Sequence, residues 1–142
     1  MNSVSINLNM DGNKTRVLVV DHDEASFQVR KCIAAVSTGL CSLELVYARD
    51  ASEALMIIDR KVPDVILFNA DESVEEFELL IESLDSEHPP IVLQGDFDQL
   101  QLPKTESIKR IPNDESIDAI HQTLMLVGSI ANNPSVSKEQ YH

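Results

Sequence analysis

Between Val62 and Pro103 the chain has no lysine or arginine, although Asp64, Asp71, Glu72, Glu75, Glu76, Glu78, Glu82, Asp85, Glu87, Asp96 and Asp98 all fall in that stretch. Over the whole sequence 24 acidic residues face 11 basic ones, a formal net charge of -13. Affinity for nucleic acid rests on neutralising phosphates with lysine and arginine, so this balance argues against DNA, RNA and anionic membrane as partners. The acidity also makes one side of the molecule strongly negative, which reads first as a solvated face that maintains solubility and only second as a surface for a basic partner.

Cysteine is scarce. Cys32 and Cys41 have neither a CxxC nor a zinc-ligand spacing, and no cationic, apolar leader pattern opens the sequence, which points to reduced thiols in the cytoplasm. Cys32 falls on the apolar side of a predicted helix and is expected to pack in the core. No apolar run approaches the length of a membrane span. With only four glycines there is no P-loop, no GxGxxG and no nucleophile elbow. His22 has no companion ligands, His88 sits beside two prolines, His121 neighbours the apolar stripe of the last helix, and Ser73 reads as a helix cap. No catalytic residue set, metal site or cofactor site emerges, and no enzyme is expected.

A chain of 142 residues with 43% hydrophobic content suits one core. The expected organisation is a flexible segment over 1–14, in which Ser5 to Leu8 carries a weak strand pattern, one domain over 15–131, and a polar tail or linker over 132–142. Continuous apolar runs at Arg16 to Val20, Val65 to Phe68 and Ile91 to Gln94 read as buried parallel strands, and Ser42 to Tyr47 and Ser107 to Arg110 as two further strands. Between them, Ala25, Phe27, Val29, Cys32, Ile33 and Val36 make a roughly helical stripe. Ala51, Ala54, Leu55 and Ile58 form a second, behind an Asp50/Glu53 capping signal. Val74, Phe77, Leu80, Ile81 and Leu84 give a third. Ile117, Ile120, Leu124, Val127 and Ile130 give the last, capped by Asn113-Asp114-Glu115. Strands alternating with helices at this spacing specify an α/β domain with a parallel sheet and right-handed crossovers.

With Val20-Asp21-His22-Asp23 closing one strand, Ala48-Arg49-Asp50-Ala51-Ser52-Glu53-Ala54-Leu55 entering the second helix, and Pro63-Asp64-Val65-Ile66-Leu67-Phe68-Asn69 closing the third strand, the chain resembles the response-regulator receiver domain from Arg16 to Gly128. The resemblance implies a flavodoxin-like, doubly wound five-stranded parallel sheet of order 2-1-3-4-5. The segment between the fourth and fifth strands is short, so a shortened fourth helix is expected.

In that family two acids at the end of the first strand hold Mg²⁺, an aspartate ending the third accepts a phosphoryl group, a Thr or Ser ends the fourth and a Lys ends the fifth. Here Asp21 stands at the first acid and His22 at the second. Asn69 takes the phosphoacceptor position, Gln94 the Thr/Ser position, and Arg110 the lysine position, with Lys109 as the alternative register. The family's switch aromatic falls on Ser107. An amide is no substitute for a carboxylate nucleophile, and imidazole and amide are poor replacements for the hard charged ligands that Mg²⁺ prefers.

The resemblance thus implies a degenerate, non-phosphorylatable receiver that binds signalling proteins or an output domain in a bacterial cytoplasm, with its oligomeric state open. Two alternatives stand beside it. One is a ligand or metal sensor using Asp21, His22 and Asn69; the other is a receiver phosphorylated on Asp71 or Asp23. Two geometric expectations follow: Asp21 pairs with Arg110 or Lys109 across the strand ends, and partners bind the first helix around Arg30 and Lys31 together with the adjoining end of the last helix.

Overall fold

The computed structural model describes residues 14–69, 74–84, 87–95 and 108–132. Several expectations lie outside these residues: the Ser5 to Leu8 pattern, the Ser73 cap, Asp71, the helical turn after Gly95 that would be the shortened fourth helix, Ser107, and the polar tail.

Five strands form one parallel sheet in the order β2-β1-β3-β4-β5. They are β1 (Thr15–Val20), β2 (Leu43–Ala48), β3 (Val65–Asn69), β4 (Ile91–Gln94) and β5 (Ile108–Ile111). The described helices are α1 (Glu24–Val36), α2 (Ala51–Arg60), α3 (Val74–Ser83) and the last, α4 (Ile117–Asn132). This is the flavodoxin-like topology expected from the sequence. No described helix is long and apolar enough to cross a membrane.

The sheet is covered on both faces, which explains why Val17 to Val20, Val65 to Phe68 and Ile91 to Leu93 are apolar at consecutive positions rather than at alternate ones. Side chains alternate across a strand. Leu18, Val20, Ile66, Phe68, Ile91 and Leu93 therefore pack with Ala51, Ala54, Phe77 and Leu80 of α2 and α3. Val17, Val19, Val65, Leu67 and Val92 turn the other way, onto Phe27 of α1 and Val127 of α4. Phe68 meets Phe77 edge-on at 5.2 Å between ring centroids, and each such fully buried side chain contributes about 1.5–3 kcal/mol of transfer free energy. Gly128 lets α4 approach β2 closely, since a Cβ there would stand 3.3 Å from the Leu43 Cδ2.

Local signals fix the helix ends. Asp50 accepts from the Glu53 N–H at 2.9 Å, which satisfies a donor the first turn leaves unpaired, and Glu53 accepts from the N–H of Arg49, the residue before the cap, at 3.0 Å. Asp23 caps α1. On α4 the cap is Ser116, whose hydroxyl accepts from the Ala119 N–H at 3.2 Å, rather than the Asn113 to Glu115 run. Asp114 holds the preceding turn by accepting from the Ser116 N–H at 2.9 Å.

Only part of the stripe expected on α1 packs: Phe27 is buried and Ile33 partly so. The buried residues of the helix are Ser26, Phe27, Arg30 and Ala34, while Val29 and Val36 are 45% and 83% exposed and Cys32 is exposed. At 100° per residue, placing Phe27, Arg30 and Ala34 inward necessarily turns Val29, Cys32 and Val36 outward. Ile117, expected on the inner side of α4, is likewise exposed in its first turn, and the buried stripe is Ile120, Leu124 and Val127.

Candidate functional site

The carboxyl ends of β1, β3 and β4 converge, as strand ends do at the ligand-binding edge of open α/β sheets. Asp21 follows β1 directly and is held there by its own N–H, which donates to the Ala48 carbonyl at 3.0 Å. Asn69 ends β3 and Gln94 ends β4, and the two are register partners in the sheet. Gly95 then turns the chain away with φ 143, a conformation that favours glycine.

The centre of this site is a residue the strand ends do not supply. Arg30 reaches in from the middle of α1 and is 1% exposed. Its Nη1 donates to Asp21 Oδ2 at 3.3 Å and to the Ser26 carbonyl at 3.2 Å, and also meets the Ser26 hydroxyl. Its Nη2 donates to Gln94 Oε1 at 3.1 Å. Asn69 Nδ2 donates to the same Asp21 Oδ2 at 3.2 Å, and the Asp23 N–H donates to Oδ1 at 2.9 Å. The Ser26 hydroxyl continues the chain outward to Glu115 Oε1 at 3.1 Å, ahead of α4.

Burying a charge is costly unless it is paired and hydrogen-bonded, and this cluster meets both conditions. Asp21, 4% exposed, has three donors on its carboxylate. The guanidinium fork is divided between a carboxylate and a side-chain amide, so Gln94 acts as an acceptor that a shorter hydroxyl would not place at the same reach. Asn69 contributes as a donor. An aspartate there would face Asp21 with a second carboxylate oxygen at the distance where an N–H now bonds.

The structure brings Asp21, Asn69 and Gln94 together and leaves His22 exposed. It also corrects two expectations. The cation paired with Asp21 is Arg30, at 3.3 Å, while Lys109 and Arg110 have exposed side chains on the edge strand β5. Arg30 itself belongs to the interior and not to the partner surface proposed around it. The register explains the first result: Lys109 and Arg110 pair with Val92 and Leu93 on β4, a level below Gln94, and β3 and β4 stand between β5 and Asp21. Sequence reasoning missed Arg30 because an arginine was assigned outward by default. The signal was its spacing, three after Phe27 and four before Ala34, on the one face of α1 that can pack.

Near the site Tyr47 packs its ring against Phe27 at 4.9 Å between centroids. Burial raises its pKa above 10.0, and the carboxylates of Asp21, Glu24 and Glu53 push in the same direction against Arg49. Among the described residues no group of three or more His, Cys, Asp and Glu side chains is placed to hold a metal ion.

No protein-family model matches the chain, and no curated protein matches it by sequence. Solved structures do. A CheY-like response-regulator receiver domain protein from Methanospirillum hungatei is 16% identical with a TM-score of 0.60, the match covering 84% of this chain and 98% of that one. A receiver domain protein from Bacillus halodurans is 9% identical at 0.59, covering 79% and 95%. The chemotaxis response regulator CheY4 of Vibrio cholerae is 17% identical at 0.58, covering 80% and 98%. Strand order, helix placement and these likenesses at low identity lead to one conclusion: the chain has the fold of the response-regulator receiver domain.

Proposed function

We propose that this protein is a receiver-like signalling domain that does not accept a phosphoryl group and acts through protein–protein contacts. The observation that carries the reading is the buried Arg30–Asp21 ion pair at 3.3 Å, with Asn69 donating to the same carboxylate oxygen. An acyl phosphate requires a carboxylate nucleophile, and the lone pair of an amide nitrogen is delocalised into its carbonyl.

The residues present also do not fit Mg²⁺. A hard divalent cation needs charged oxygens free to turn towards it. Here both oxygens of Asp21 are engaged by N–H donors, one of them on a guanidinium whose positive charge would repel the ion. Asp23, the alternative acceptor within the described residues, is exposed and accepts from the Ala25 N–H at 3.0 Å as the cap of α1. The cluster instead supports a fixed internal cation that ties α1 to the ends of β1 and β4 without an external ligand.

In this reading the domain presents a constant surface to a signalling partner or an attached output domain in the cytoplasm of a bacterium. Its contact surface includes the outer side of α1, where Val29 and Val36 are exposed. The test is treatment with acetyl phosphate or beryllium fluoride in the presence of Mg²⁺. No covalent phosphoprotein and no fluoroberyllate-dependent spectral change is expected, whereas stoichiometric phosphorylation overturns the proposal.

A further inference from the structure

Among the described residues β2 is the outermost strand of the sheet on its side. Thr15 N–H donates to the Ser42 carbonyl at 2.9 Å and Asp21 N–H to the Ala48 carbonyl at 3.0 Å. In a parallel ladder this parity points the backbone groups of the even-numbered β2 residues at β1 and those of Leu43, Leu45 and Tyr47 outward. Among the described residues nothing pairs with those outward groups. An unpaired edge with this much strand character is a template for another strand and is ordinarily covered, charged or interrupted.

The same edge borders a groove of about 420 Å³ between β2 and α1, lined by Lys14, Lys31, Ala34, Ala35, Leu43 and Leu45 among others. Leu43, Leu45 and Tyr47 are only partly buried and pack on the α1 and α4 side of the sheet. An additional strand at this edge would carry its own apolar side chains over the groove.

The sequence supplies such a strand. Val4, Ile6, Leu8 and Met10 alternate strictly with Ser5, Asn7 and Asn9, the pattern of a strand with one apolar face. We propose that Val4 to Met10 of this chain adds to β2 as a sixth, antiparallel edge strand and seats Ile6 and Leu8 in the groove against α1. Crossing beneath β2 spans two inter-strand spacings of about 4.8 Å each. The six residues from Asn9 to Lys14 reach about 20 Å when extended and hold the Asp11-Gly12 turn signal.

In the register Leu8 opposite Leu43, Ile6 opposite Leu45 and Val4 opposite Tyr47, every apolar residue of the segment falls on the groove side and every outward backbone group of β2 finds a partner. Lys14 lines the groove and immediately precedes β1, so the segment is tethered beside its site. That tether favours it over a second copy of the chain, which must first be recruited from solution. An antiparallel edge strand on a parallel sheet is a common arrangement.

The test is residue-resolved amide hydrogen exchange on the full chain at two protein concentrations about tenfold apart. Residues 4–9 and the amides of Leu43, Leu45 and Tyr47 are expected to exchange at least about tenfold more slowly than in an unstructured chain, equally at both concentrations. In the double variant Ile6→Asp/Leu8→Asp that protection is expected to vanish while Val17 to Val20 remain protected, showing an intact core. Free-chain exchange of residues 4–9 in the unaltered protein overturns the proposal. Protection that rises with concentration overturns it in favour of pairing between copies.

Discussion

Arg30 decides what the strand-end cluster is. It turns an acidic corner into a neutral, fully bonded network in which Asp21, Asn69, Gln94 and Ser26 each have a defined partner. Removing one member of a buried ion pair leaves the other charge uncompensated and costs about 3–5 kcal/mol. Asp21→Asn and Arg30→Met are each expected to destabilise the domain by about that amount. The double variant should lose less than the sum, with a coupling of about 1–3 kcal/mol in denaturant unfolding. Lys109→Met or Arg110→Met in the same cycle should show none. A further consequence concerns Asn69→Asp. Because its Nδ2 donates to Asp21 at 3.2 Å, the carboxylate variant places two like charges together and is expected to lower the melting temperature at neutral pH. Mg²⁺ is expected not to restore it, since Arg30 still occupies the Asp21 carboxylate. Recovery of stability on adding Mg²⁺ would show that the guanidinium yields to the metal.

At the level of elements, the strands were legible because burial on both faces makes a run apolar at every position, and Val17 to Val20, Val65 to Phe68 and Ile91 to Leu93 are all essentially inaccessible. The cap at Asp50 was legible from a short polar residue ahead of helical spacing. Helix α1 was not. Hydrophobicity alone oriented it by Val29, Cys32 and Val36, whereas the buried face is organised around a charged residue whose partner lies nine positions upstream on a different element. The partner depends on tertiary geometry, and the spacing of Phe27, Arg30 and Ala34 marks the inner face only once an arginine is allowed inward. The same limit produced the expected pairing of Asp21 with Arg110 or Lys109, which followed a position in a family pattern and not a distance. The turn before α4 carries its own testable feature. The Ser116 N–H and hydroxyl hold the exposed Asp114 carboxylate below its ordinary pKa of 3.8. A depressed folded-state value contributes stability that is present above the unfolded pKa and lost as pH falls through the folded one. Asp114→Asn should therefore flatten a small part of the acid limb of the stability curve below pH 4, with little change at neutral pH.

For the molecule as a whole, a net charge of -13 lies on a sheet-and-helix scaffold whose only described fully buried ion pair is Arg30 with Asp21. The two other described ion pairs, Arg16 with Glu44 and Arg49 with Asp50, involve side chains partly open to solvent and contribute little each. A domain built this way has its strand-end cation supplied from within, so its state is not expected to depend on a metal and a phosphoryl donor. That claim is tested most directly by intact-mass measurement after incubation with acetyl phosphate and Mg²⁺, made on the unaltered chain and on Asn69→Asp/Arg30→Ala. The unaltered chain is expected to gain no phosphoryl mass, while the variant, with a carboxylate at the nucleophile position and the guanidinium gone, is the arm in which labelling becomes chemically accessible. A stoichiometric phosphoryl adduct on the unaltered protein would contradict the account.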